Sequence, residues 1–152
     1  MVAVRRLAFV LVAVLALAAC GGSSKKTTTP PETGPSPAVS KQQITTAYEN
    51  FFSSNTSVAG KVRLLQNGQR FEPLVKAFAS NPLAKKTSAT VSSVTLQGPN
   101  RAKVVYQVKF AGSSLPKQTG TAVRENGTWK VGDASLCKLI ALGGTTPSAC
   151  KS

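Results

Sequence analysis

Two hydrophobic periods divide the chain. From Ile44 to about Ser80 apolar residues recur every three or four positions, and from Ala89 to Val131 they alternate. In the first zone Ile44, Ala47, Tyr48 and Phe51 fall at i, i+3, i+4 and i+7, the stripe of an amphipathic helix, and Phe52 widens its buried edge. Ser40 and Gln43 ahead of it match a capping box. Ser57 is placed to cap a second helix over 58–66, with Val58, Val62 and Leu65 inward. Asn67-Gly68 has the composition of a hairpin turn, but helical spacing on both flanks makes Gly68 a C-terminal cap instead. A third helix over about 69–80 presents Phe71, Leu74, Val75 and Phe78 to the core, and Asn81-Pro82 stops it.

In the second zone Ala89 and Val91 alternate, then Val94 and Leu96 alternate one position out of phase, which predicts a bulge near Ser92-Ser93. Gly98-Pro99-Asn100 is a turn. Over 101–110 one face reads Ala102, Val104, Tyr106, Val108 and Phe110, and the other Arg101, Lys103, Val105, Gln107 and Lys109. That pattern belongs to an antiparallel sheet with one wet face. Residues 111–117 read as a loop or strand start and 118–125 as a third strand. Asn126-Gly127 then joins it to Thr128-Trp129-Lys130-Val131 as a type I′ hairpin. Asp133 or Ser135 caps a last short helix with Leu136, Leu139 and Ile140 inward, ended by Gly143-Gly144. Helices first, then a sheet, then a helix give an α+β class. The expected arrangement is N-terminal helices packed on a curved antiparallel sheet of about four strands, cone-like and resembling the NTF2-like superfold, with a short C-terminal helix.

Ahead of this domain the pattern is different. Arg5 and Arg6 precede an unbroken apolar run over 7–17, then the small residues Ala18 and Ala19, the grammar of an export signal over 1–19. The run is short for a span, which needs about 20 apolar residues. Leu17-Ala18-Ala19-Cys20 resembles the bacterial lipobox, in which the cysteine sulfur takes a diacylglycerol and becomes the mature N-terminus. The resemblance implies a membrane partner through a lipid anchor on Cys20 and a place on the outer face of the cell membrane, partly released. Residues 20–39, rich in Gly, Ser, Thr and Pro, have little to bury and read as a tether, with a single domain over 40–152.

Charge and cysteines then narrow the class. The 152 residues carry 19 Lys and Arg against 5 Asp and Glu, and no His. Outside the cell there is little nucleic acid to meet, so nucleic acid is not expected as a partner; anionic lipid headgroups or cell-wall polymer are. Arg101, Lys103 and Lys109 project together from one strand, and Lys25 and Lys26 sit close to the anchor, so these five are the candidate contacts to such a surface. Of the three cysteines, Cys20 is taken by lipid, which leaves Cys137 and Cys150 as an expected disulfide in an oxidising compartment.

Blocks of residues in order also resemble a known family. Ala47-Tyr48 through Phe52, Lys61 with Leu64-Leu65-Gln66-Asn67-Gly68, Asn81-Pro82-Leu83-Ala84, then Gly127-Thr128-Trp129-Lys130-Val131 and Cys137-Lys138-Leu139 with a trailing Cys look like the mycobacterial low-molecular-weight secreted antigens. The similarity spans about 44–150. It implies an exported domain of undefined biochemical role and brings no catalytic residues.

Enzyme chemistry finds little support. Without His the usual general base and metal ligand is missing, and Glu32, Glu49, Glu72, Glu125 and Asp133 are scattered. No enzyme activity, cofactor or metal is expected. Two functions stand: a structural or interaction lipoprotein facing another envelope protein or an anionic polymer, or a binder of a small apolar ligand between helices and sheet. For the second, Tyr48, Phe51, Phe78, Tyr106 and Trp129 are the expected pocket.

Overall fold

In the computed structural model, which describes residues 34–142 and 144–151, the first helix, α1 (Pro37–Phe52), starts three residues ahead of Ser40. The expected signal over 1–19, Cys20, Lys25, Lys26 and the tether as far as residue 33 lie outside the described residues. Ser36, not Ser40, is the cap: its Oγ accepts from the Val39 amide at 3.4 Å, and Pro37 occupies the first helical position, where its missing N–H costs nothing. Ser40 is instead a buried helical residue whose hydroxyl donates to the Pro35 carbonyl. The capping box is overridden because a serine followed by a proline already starts the helix one turn earlier. The predicted stripe is the buried one: Ile44, Ala47, Tyr48, Phe51 and Phe52 are all within 4 % of full burial.

Helix α2 (Val58–Leu64) is capped by Ser57 as expected, its Oγ accepting from Gly60 N at 3.1 Å. Gly68 does not end it. Asn67 takes the left-handed conformation (φ 51°), and Gly68 is the first residue of α3 (Gly68–Ala79). A Cβ on Gly68 would lie 1.9 Å from the Val62 carbonyl oxygen, so the glycine is needed for close approach rather than for a cap. Between α2 and α3 the backbone is fastened to the sheet: Gln66 N donates to Val131 O at 2.8 Å, and Leu65 pairs with Val131 in parallel. That contact covers part of an edge strand that would otherwise be open to pairing. On α3, Phe71 and Val75 are buried, whereas Phe78 is 41 % exposed, against the inward position its spacing predicts. It is the last residue but one of α3, where the helix runs out of the packed layer.

After a 3₁₀ turn (Pro82–Lys86) come β1 (Ser88–Leu96), β2 (Arg101–Phe110), β3 (Ser113–Ser114), β4 (Gln118–Glu125) and β5 (Thr128–Val131), then α4 (Asp133–Ala141) and a 3₁₀ turn (Ser148–Cys150). The sheet runs β1-β2-β4-β5, antiparallel throughout, with β3 pairing β2 beyond the end of β4. The register slips between Val91 and Ser93, where the phase change predicted a bulge. Asn126 (φ 49°) and Gly127 (φ 79°) form the predicted hairpin turn. The sheet curls into a half-barrel, and α1 lies in it, touching both β1 and β5. Inside, Val104, Tyr106, Val108, Ala122 and Val131 meet the α1 stripe. Tyr106 packs 4.9 Å from Tyr48 and lies nearly parallel to Phe52 at 5.6 Å, distances at which aromatic pairs attract beyond their burial.

Cys137 on α4 is bonded to Cys150 in the last 3₁₀ turn, with Cα atoms 5.6 Å apart. In the chain-entropy view a loop of this size contributes about 3 kcal/mol. Cys137→Ser should therefore expose Cys150 to a thiol probe and lower the melting temperature by more than about 5 °C. Thiol labelling and calorimetry check this; two reactive thiols at residues 137 and 150 in the unreduced wild-type protein would contradict it.

Candidate functional site

Where the C-terminal end of α1 leaves the half-barrel, an apolar cleft of about 590 Å³ opens. Leu74, Val75 and Phe78 of α3 line it, with Phe51 and Phe52 of α1, Val108 and Phe110 of β2, and Leu136, Leu139 and Ile140 of α4. Its volume falls in the roughly 300–1,000 Å³ range of small-molecule sites. Each element reaches it for a local reason. The β2 alternation sends Val108 and Phe110 to the same face as Tyr106, and α1 ends on two adjacent phenylalanines that cover only part of that face. The β2–β3 turn, made by Ala111 (φ 52°) and Gly112 (φ 87°), folds Leu115 back so that its amide donates to Val108 O at 2.8 Å.

One corner of the cleft is polar. Lys61 of α2 lines it and is buried, 7 % exposed. Its ammonium donates to the carbonyls of Phe51 (2.5 Å) and Ser53 (2.6 Å), the negative end of α1, and lies 5.9 Å from the centre of the Phe51 ring. Among the described residues no carboxylate pairs with it. Burial pushes its pKa down to about 8. Thr87 lines the same corner: its carbonyl accepts from the Ser54 amide at 3.2 Å, and its own Oγ1 is buried with no hydrogen-bond partner among the described residues.

A second buried polar group sits where α4 meets β4. The Tyr48 hydroxyl donates to Thr121 O at 2.6 Å and lies 3.1 Å from Ser135 Oγ, which accepts from Thr121 N at 2.8 Å. Ser135 thus bonds the β4 backbone just past the end of β5, where the ladder has run out. Neither expected cap, Asp133 or Ser135, caps α4: Gly132 holds the cap position without a side-chain bond, and Asp133 opens the helix, accepting from Asn67 Nδ2 at 2.8 Å. Gly120 makes room, since a Cβ there would lie 2.6 Å from Ser135 Oγ and 2.7 Å from the Tyr48 hydroxyl.

The five expected pocket residues are therefore divided. Phe51 and Phe78 line the cleft, whereas Tyr48 and Tyr106, at most 1 % exposed, belong to the filled core. Trp129, also buried, lies away from the cleft, between two shallower grooves near the start of α1. An aromatic stripe says which side chains face inward and not which remain uncovered. Lys61 and Thr87 were missed, although Lys61 occupies the helical stripe of Val58, Val62 and Leu65. On the sheet, Arg101, Lys103 and Lys109 are all exposed, but the strip is not continuous: Gln107 between them is half-buried and donates to Leu115 O at 3.0 Å. Two of the acids are paired elsewhere, Glu72 with Lys76 at 2.7 Å and Glu125 with Lys130 at 3.0 Å. Among the described residues no three metal-ligating side chains cluster, and no helix is long and apolar enough to cross a membrane.

Residues 37–147 match the family model of the low molecular weight antigen MTB12, C-terminal domain. That span runs from the first residue of α1 to the proline ahead of the final 3₁₀ turn, so it takes in every element that lines the cleft. No curated relative matches the chain.

The buried hydroxyls give a pH dependence. Burial raises both tyrosines from their ordinary value of 10, Tyr106 to about 12 and Tyr48 further. Above pH 10 the unfolded chain ionises them while the folded one keeps its protons, so stability falls with rising pH. Lys61 acts in the opposite sense between pH 8 and 10.5, where the folded form is already neutral and the unfolded one still charged. Stability contributed by these groups should rise from pH 8 and fall above pH 10. These are the only two tyrosines of the chain, so phenolate absorbance should appear together with loss of circular dichroism; titration of both near pH 10 in the intact fold would refute this.

Proposed function

The chain belongs to the low molecular weight antigen MTB12 family through its C-terminal domain, and from that premise we propose that it is an exported, membrane-anchored lipoprotein whose domain binds a small apolar molecule without catalysing its conversion. The observation that carries the binding is the apolar cleft beside a core that is otherwise filled. A bundle built only as a scaffold gains from closing such a space, because unfilled apolar volume forfeits packing contacts. Here four phenylalanines, Leu139 and Ile140 are left facing it.

The anchor rests on the Leu17-Ala18-Ala19-Cys20 motif and the apolar run ahead of it. One acyl chain holds a protein only marginally, whereas two make attachment stable, and a diacylglycerol supplies two. The non-catalytic reading is supported by the missing His and by two of the five carboxylates being held in surface pairs. The exposed Arg101, Lys103 and Lys109, with Lys25 and Lys26 near the anchor, would let the domain rest on anionic headgroups or wall polymer, each basic residue contributing about 1 kcal/mol near such a surface. An envelope protein would be a further partner for that face.

Two experiments test the two halves. Cys20→Ser should shift the protein out of the membrane fraction or leave it unprocessed, read by fractionation and intact mass; unchanged fractionation and mass would remove the anchor. A neutral naphthylamine dye should brighten on binding wild-type protein, and Leu139→Trp, which fills the cleft, should abolish that signal while the protein still melts cooperatively. Equal dye binding by both proteins would place the apolar site elsewhere.

A further inference from the structure

The cleft is apolar along most of its walls, and its polar lining residues are Lys61, Asn81, Thr87 and Thr145. Lys61 has three N–H donors and spends two on the carbonyls of Phe51 and Ser53. Thr87 has a hydroxyl with no partner among the described residues. Lys61 Nζ donates to Ser53 O and the Thr87 backbone carbonyl accepts from Ser54 N, so both residues sit at the end of α1.

Each of these is unfavourable as it stands. A buried hydroxyl without a partner forfeits the bonds it would make to water. A buried ammonium without a counter-charge is disfavoured more strongly, and carbonyl dipoles only partly replace a carboxylate. A hydrophobic residue at position 61 would continue the stripe of Val58, Val62 and Leu65 and remove that cost. What both groups lack is an anionic acceptor with two oxygens, which a carboxylate provides.

Resting on the reading of the cleft as a binding site, we propose that its occupant is a single-chain carboxylate. The hydrocarbon tail lies against Leu74, Val108, Leu139 and Ile140, and the carboxylate meets Lys61 and Thr87 at the end of α1. The lining then offers one charge at the head and mostly aliphatic and aromatic carbon along the tail. A neutral alcohol of the same length would satisfy the tail but leave the ammonium uncompensated. A cationic amphiphile would set like charges together in a low-dielectric corner.

The experiment uses the full chain with Cys20→Ser, purified without detergent, and the displacement of the neutral dye by laurate, dodecanol and dodecyltrimethylammonium below their aggregation limits. Laurate should displace the dye at concentrations roughly tenfold or more below dodecanol, the effect of a charged hydrogen bond in a buried site, with the cation weakest. Lys61→Met, which keeps length and apolar bulk, should bring laurate and dodecanol together, and Thr87→Val should narrow the gap. Should Lys61→Met fail to fold, the ligand series on the wild-type residue at position 61 and on Thr87→Val still decides. Equal displacement by laurate and dodecanol would overturn the carboxylate assignment and leave the apolar cleft standing. A laurate preference that survives intact in a folded Lys61→Met would remove Lys61 from the site. Absence of dye binding that Leu139→Trp can abolish would overturn both this assignment and the cleft reading on which it rests.

Discussion

The hydroxyl of Tyr48 holds the two halves of the fold in register. It leaves the middle of the first helix, crosses the core and ends on the backbone of β4 beside Ser135. Without it, Thr121 O and Ser135 would keep their mutual contacts, but α1 would be joined to the sheet by apolar packing alone, which specifies burial more readily than position. The consequence spreads from there. β5 is only four residues long, so β4 needs a partner past Ala122; Ser135 supplies it, and α4 is thereby set against the core. One wall of the cleft exists because a short strand hands its bonding over to a helix.

The same arrangement explains why the aromatic residues fall into two classes. Tyr48 and Tyr106 lie where helix and sheet face each other squarely, and they fill that space with Phe52. One turn further on, α1 ends while β2 continues to Phe110. The sheet therefore outruns the helix that covers it. Phe51, Phe78 and the apolar face of α4 surround the uncovered end without meeting in the middle. Phe78 and Phe110, 6.0 Å apart, sit at its rim.

Periodicity carried most of this architecture. The stripe from Ile44 to Phe51, the phase slip before Ser93, the Asn126-Gly127 turn and the pairing of the two distal cysteines are all local or nearly local signals, and each is legible in a few consecutive residues. What was not legible depended on competition or on distance. Ser40 looks like a cap until Pro37 is weighed, because the earlier start wins once a proline fixes the first turn. Gly68 looks like a stop signal, and its reason lies in the carbonyl of Val62, six residues back and folded across it. Phe78 has the right spacing for the core but sits in the last turn of its helix, where it meets the rim residue Phe110 across the cleft. Lys61 is the instructive omission. It stands on the buried face of its helix, where a charge is expensive, and a lysine at such a position is a signal in its own right. Thr87 gave no comparable sign, since a lone threonine between a 3₁₀ turn and a strand is commonplace.

The disulfide has a mechanical meaning beyond its contribution to stability. α4 is held near its start by Ser135 on β4 and two residues later by Cys137, whose sulfur ties the segment to Cys150. A helix end normally frays turn by turn, and a cavity beside it breathes accordingly. This wall is a closed ring and cannot loosen in that way; it swings as one piece or stays put. Under the proposed binding reading, such a wall would make the space a gauge of chain length and not a sponge that swells to suit whatever enters.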